Sequence, residues 1–210
     1  MKKTPDDILA RVSTLNTGDS SKDVYDDWAA TYDEHLGEAF GYVSPRLSAA
    51  ALAELCPDTS IRIVDYGCGT GLVGEALFGL GFADIHGVDI SSGMLAQAAR
   101  KGVYRSLSVG DLTRPPALED DHFAAGLCIG SMGAGHIDAD HVPNLLKPIR
   151  PGGVFVIYMN AAYYESGGFA RKFRQLEADG EWIILRQESS NYMDKLDRPG
   201  WLLVARKAEG

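Results

Sequence analysis

The chain has 210 residues, enough for one domain with appendages and a substantial core, and too few for a second full catalytic domain. Its 20 basic against 29 acidic residues give a formal net charge of -9, which repels a phosphate backbone and argues against nucleic acid as a partner. Cys56, Cys68 and Cys128 are odd in number and lack CxxC spacing, which points away from a disulfide framework and from a metal centre, and toward a reducing compartment.

The start, MKKTPDDILARV, places acids where a secretory signal needs an apolar run, and no later run reaches membrane-spanning length. A soluble, cytoplasmic protein with no membrane association is expected. Residues 1–22 are polar, with Gly18, Ser20 and Ser21, and predict a short helix and a loose linker. The segment DVYDDWAATYDEHLG then sets Val24, Trp28 and Thr31/Tyr32 at helical spacing, with Tyr25 one turn before Trp28, which predicts an aromatic-lined helix outside the main sheet. Ser44 as cap and Pro45 in the first turn open another helix that runs through AALAEL to Pro57. Residues 1–57 are accordingly grouped as N-terminal helices and a lid, and 58–210 as the core of a single structural domain.

The core opens on IRIVDYGCGTG. Ile61, Ile63 and Val64 read as a buried strand, Asp65 sits at its carboxyl end, and Gly67, Gly69 and Gly71 make a tight turn before a helix over Val73–Leu80. ADIHGVDIS is a second strand ending at Asp89, Ser92 caps a helix through MLAQAARK, and YRSLSVGD is a third strand ending at Asp111. HFAAGLCIG is a fourth strand, followed by the glycine-rich SMGAGHI. A helix opened by Asp138 or Asp140 runs to Leu146, and GGVFVIYMN is a fifth strand, apolar enough to be covered on both faces. After a helix around Gly168–Ala178, EWIILRQESSNYM and GWLLVARK are joined only by DKLDRP, too short for a crossover, so they pair antiparallel. The predicted fold class is therefore α/β: a Rossmann-like, doubly wound, mostly parallel sheet with a C-terminal antiparallel hairpin and an N-terminal helical lid.

Three acids, Asp65, Asp89 and Asp111, fall at the ends of successive strands, where an open parallel sheet binds its ligands. Asp89 stands 20 residues beyond Gly69, the spacing of a carboxylate that accepts from both hydroxyls of a ribose. Asp111 suits an exocyclic amine such as that of adenine, with Met94 and Leu112 as apolar contacts to its ring. Singly, each residue has a plainer explanation: strand-end acids cap helices, Met94 belongs in a core, Cys68 and Cys128 are small buried hydrophobes, and His136 is structural. Jointly, they describe a nucleoside site. Gly69, Gly71 and Gly74 also satisfy GxGxxG, the pattern of a dinucleotide fold, but an acid at position 65 crowds a pyrophosphate and favours a cationic S-adenosyl ligand.

The run VDYGCGTG, then GVDIS, then GDL, then PGG before a strand, resembles the class I S-adenosylmethionine-dependent methyltransferases over about residues 23–207. The GSMGAGHI loop and the overall layout most resemble the small methyltransferase-like proteins of the Williams-Beuren region. The resemblance implies S-adenosyl-L-methionine as cofactor and S-adenosyl-L-homocysteine as product. It places Asp65, Gly67, Cys68 and Gly69 around the methionyl part, Asp89 at the ribose, and Asp111 with Leu112 at the adenine. Ile90 and Met94 would flank the adenine, while Ile129, Gly130 and Ser131 would line the sulfonium side. The segment YDDWAATYD looks like the lid of small-molecule methyltransferases, which adds Tyr25 and Trp28 to the cofactor contacts and Tyr32 and His136 as candidate catalytic residues. Asn160, Tyr163 and Tyr164 are further pocket candidates. One departure is that the loop after the fourth strand lacks the acid followed by histidine common there. The expected function is methyl transfer to a small-molecule acceptor by in-line displacement, in a monomer or a homodimer. The competing readings are an NAD-dependent oxidoreductase and a non-catalytic S-adenosyl-ligand-binding protein.

Overall fold

The computed structural model describes residues 21–133 and 136–209, so the short helix expected before residue 21 lies outside the described residues. Seven strands form one sheet in the order β3-β2-β1-β4-β5-β7-β6. They are β1 (Arg62–Tyr66), β2 (Asp84–Asp89), β3 (Ser106–Val109), β4 (Phe123–Ile129), β5 (Ile149–Asn160), β6 (Trp182–Asn191) and β7 (Pro199–Lys207). The first five are mutually parallel, and β7 enters antiparallel between β5 and β6. The hairpin is the one expected, and its second strand joins the parallel sheet. Strand order runs outward from β1 to β3 and then reverses at β4, which opens a crevice at the carboxyl ends of β1 and β4.

Both faces of the sheet are covered, as the apolar run of β5 requires. On one face Ala49, Leu52, Val73 and Leu77, from the helices Ser44–Leu55 and Leu72–Gly79, pack with Ile63, Ile85 and Val156. On the other, Leu145, Phe169, Phe173 and Leu176 pack with Tyr66, Phe155 and Trp182, whose indole N–H donates to the Phe173 carbonyl at 3.1 Å. Among the described residues no helix is long and apolar enough to cross a membrane.

Local chemistry moved several boundaries. Ser91, not Ser92, caps the helix Ser92–Lys101: its hydroxyl accepts from the Met94 amide at 3.0 Å. Val43 takes the cap position of the helix Ser44–Leu55, so Ser44 is its first helical residue and is buried. Asp111 lies in a turn beyond β3, and Asn160 caps an additional helix, Ala161–Ser166. The aromatic segment is a helix over Ser21–Trp28, then a 3-10 turn, a single helical turn at Tyr32–Glu34 and a π-helical turn over His35–Phe40, not one continuous α-helix.

Candidate active site

The glycine turn after β1 is built for close approach. Gly67, Gly69 and Gly71 all hold positive φ, at 67°, 53° and 92°. The amides of Gly67 and Cys68 donate to the Val88 carbonyl, tying the turn to the end of β2. From the other side, the Ser131 hydroxyl donates to the Gly67 carbonyl at 3.1 Å, and a Cβ on Gly67 would lie 2.2 Å from the Ser131 Oγ. The turn is thereby clamped between the end of β2 and the loop that follows β4.

Asp89 completes that clamp. Its Oδ2 accepts from the Gly69 amide at 2.9 Å and its Oδ1 from the Ser91 amide at 2.8 Å. Each oxygen keeps a second lone pair, so the carboxylate can still take both hydroxyls of a diol. Burial raises its pKa above the ordinary carboxylate range, opposed by the Ser91, Gly69 and Ile90 amides and reinforced by the charge of Asp26. Asp111 is the opposite case. Its Oδ1 accepts from the hydroxyl and the amide of Thr113, at 2.6 and 3.0 Å, and the hydroxyl contact is the main cause holding its pKa low.

These groups line a cavity that is open to solvent. Of the residues expected from the sequence, Tyr25, Tyr32, Gly67, Cys68, Gly69, Asp89, Ile90, Met94, Asp111, Leu112, Ile129, Gly130, Ser131 and His136 all line it. Met94, Leu112 and Cys68 are at the same time buried, so they belong to the core as well as to the cavity wall.

Two expected cofactor residues do not line the cavity. Trp28, the last residue of the helix Ser21–Trp28, is buried: its indole N–H donates to His35 Nδ1 at 3.0 Å and its ring packs edge-on against Tyr32, with centroids 4.5 Å apart. Asp65 also sits behind the wall: it is 1% exposed, its Oδ2 accepts from the Tyr104 hydroxyl at 2.7 Å, and its Oδ1 has no hydrogen-bond partner among the described residues. Burial drives its pKa up to about 7, with the Tyr104 hydrogen bond opposing and the charge of Asp89 adding to the rise. An acid placed there does not crowd a ligand in the glycine turn, so the steric case against a pyrophosphate loses its footing. The Tyr104 hydroxyl also accepts from the Gly74 amide at 3.1 Å, linking Asp65 to the helix that leaves the turn.

A Cβ at position 74 would meet the Tyr104 Cζ at 2.3 Å. Gly74→Ala is therefore expected to cost about 1–3 kcal/mol of stability by overpacking. Denaturant unfolding would check this, and a midpoint equal to the wild type's would refute it.

Asn160, Tyr163 and Tyr164 are likewise absent from the lining. Asn160 accepts from the Ala162 amide as a helix cap and donates to the Tyr192 hydroxyl, while Tyr164 pairs with Gln187. Residues that the sequence did not single out take part instead: Tyr42, Pro45, Thr70 and Ile137. Tyr42 arrives through an isolated β-bridge to Met193, a long-range contact with no local sequence signal. Thr70 follows Gly69 within the glycine turn itself, and its position there was the available clue.

Over the cavity, the Tyr25 hydroxyl lies 2.9 Å from His136 Nε2. Burial, with smaller contributions from neighbouring tyrosines and Asp89, pushes the phenols of Tyr25 and Tyr32 well above their ordinary pKa, and burial lifts that of Tyr42 to about 12. All three stay protonated at neutral pH, so they act as hydrogen-bond donors and π-faces, not as bases.

The Methyltransferase domain family matches residues 63–153. The human Methyltransferase-like protein 27, the protein of the Williams-Beuren region, is 38% identical over 133 residues, which is 62% of this chain and 54% of that protein. A trans-aconitate 2-methyltransferase of Pseudomonas aeruginosa is 36% identical over 113 residues, covering 50% of this chain and 36% of that protein. The chain thus spans about half of the human relative's length and about a third of the bacterial one's. An S-adenosylmethionine-dependent methyltransferase from Clostridium acetobutylicum shares the fold at a TM-score of 0.63 and 17% identity, over 88% of this chain and 99% of that one. The sheet order, the glycine turn and the Asp89 clamped to it fall largely within the segment that matches the Methyltransferase domain family, and over that segment the chain is similar to the S-adenosylmethionine-dependent methyltransferases.

Proposed function

We propose that the protein transfers a methyl group from S-adenosyl-L-methionine to a small-molecule acceptor, by in-line displacement, as a cytoplasmic enzyme in which residues 1–57 comprise the N-terminal helices and lid and 58–210 the core. The observation that carries this reading is Asp89, whose two oxygens each accept one backbone amide and keep a lone pair for a ribose diol. Around it, the Asp111 carboxylate, whose Oδ2 also lies 3.6 Å from Arg114 Nε, offers an acceptor to an exocyclic amine, and Ile90, Met94 and Leu112 supply apolar walls for a purine. The glycine turn would hold the methionyl part. The cofactor supplies a methyl group on sulfonium with a neutral thioether as leaving group, so the protein's own task is positioning and exclusion of water.

Tyr25, Tyr32 and Tyr42 close the acceptor side. Their neutral rings favour a cation by π attraction and their hydroxyls orient an acceptor. A base is required only where the accepting atom carries a proton of high pKa. His136 is the lining side chain suited to that task, its Nε2 held by the Tyr25 hydroxyl, and Tyr32 is the second group assigned to the chemistry. The family match supports an S-adenosyl ligand over the dinucleotide that GTGLVG suggested.

Calorimetric titration with S-adenosylhomocysteine is expected to show saturable one-site binding. Absence of heat with both S-adenosylhomocysteine and S-adenosylmethionine would sink the proposal. Binding without S-adenosylhomocysteine release across a broad metabolite panel would instead support a non-catalytic ligand-binding role.

A further inference from the structure

The lid segment is stitched to the two loops that frame the cofactor site, and the stitches are two aspartates. Asp26 Oδ1 accepts from the Ser91 hydroxyl at 2.5 Å and from the Gly93 amide at 2.9 Å. Ser91 is also the residue whose amide holds Asp89 Oδ1 and whose hydroxyl caps the helix carrying Met94. Asp33 does the same on the other side: its Oδ1 accepts from the hydroxyl of Thr70 in the glycine turn at 2.5 Å, and its Oδ2 pairs with Lys101 at 2.7 Å. Between the two acids lie Trp28 and Tyr32, and beside Asp26 lies Tyr25, bonded to His136.

We propose that Asp26 and Asp33 are positioning residues that clasp the aromatic lid onto the ribose loop and the glycine turn, so that the acceptor wall is assembled over the cofactor and the cofactor leaves only after the clasp opens. Gly93 supports this from an independent direction. A Cβ there would stand 2.8 Å from Asp26 Oδ1 and 3.2 Å from its Cα. Gly93 lies within the helix Ser92–Lys101, in a conformation that alanine adopts more readily than glycine, so the helix itself has no use for it. The close approach of the lid does. The clasp stands on its own contacts; its consequence for the cofactor rests on the function proposed above.

Two measurements on the full chain separate these levels. In amide hydrogen exchange without ligand, the double variant Asp26→Ala/Asp33→Ala is expected to lose protection across residues 24–36 while β4 and β5 exchange as in the wild type. Asp26→Asn, which keeps a carbonyl oxygen for Ser91 and Gly93, is expected to retain most of the protection on its side. Gly93→Ala is expected to lose lid protection although its own helix is strengthened. In stopped-flow displacement, S-adenosylhomocysteine is expected to leave the double variant about tenfold faster, as loss of charge-assisted hydrogen bonds acts mainly on dissociation. Unchanged exchange over residues 24–36 in both the double variant and Gly93→Ala overturns the clasp. Altered exchange with a dissociation rate within twofold of the wild type overturns its gating role. A wild type that fails to bind S-adenosylhomocysteine overturns the proposed function, and exchange alone then decides the clasp.

Discussion

Asp89→Ala is expected to weaken S-adenosylhomocysteine binding about 100-fold, close to 2.7 kcal/mol, while leaving the ligand-free fold intact. The loss has two sources. The variant removes the acceptor proposed for both ribose hydroxyls, and it releases the Gly69 and Ser91 amides that the carboxylate holds at 2.9 and 2.8 Å, so the glycine turn loses its tie to the loop after β2. The stability side is different, because burial raises the pKa of Asp89 despite those amides. A charged group that is harder to ionise in the fold than in water is maintained at a cost, and its removal gives back part of what the lost hydrogen bonds take away. Calorimetry for binding and thermal unfolding without ligand check the two halves. An affinity within threefold of the wild type would remove Asp89 from the ribose site.

The tie between the glycine turn and Asp89 was legible because it depends on short-range features: alternate glycines, a strand-end acid, and the 20-residue spacing from Gly69 to Asp89 that one βαβ unit imposes. Helical spacing brought Tyr25 and Tyr32 to the cavity in the same way. It could not rank the faces of that helix. Trp28 shares the pattern, yet it packs inward with Leu36, Phe40 and Met193. Asp65 exposes a second limit. A strand-end position says that a side chain is near the crevice, but successive side chains point to opposite faces, and that of Asp65 turns toward Tyr104. Tyr42 needed the bridge to Met193, and the clasp needed Asp26 beside Ser91 and Asp33 beside Thr70. Those pairings span distant parts of the chain, and neither periodicity nor spacing encodes them.

Asp65→Asn is expected to flatten the pH dependence of stability and to make the ligand-free protein more stable than the wild type above pH 7. The carboxyl is buried with one oxygen unpartnered, and its pKa is pushed up to about 7 from the ordinary value of 3.8. Between those two values the native state holds a proton that the unfolded chain has released. Stability therefore falls as pH rises through that window, and the full cost is present once the folded group ionises. A rise of this size corresponds to roughly 4 kcal/mol, an upper figure because local relaxation and water entry soften the burial of a charge. Asparagine keeps an oxygen for the Tyr104 hydroxyl and carries no charge, so the slope assigned to this site should vanish while the Tyr104–Gly74 link persists. Urea unfolding of both proteins from pH 5 to 8 tests this directly, and parallel curves would show that Asp65 does not titrate in that range.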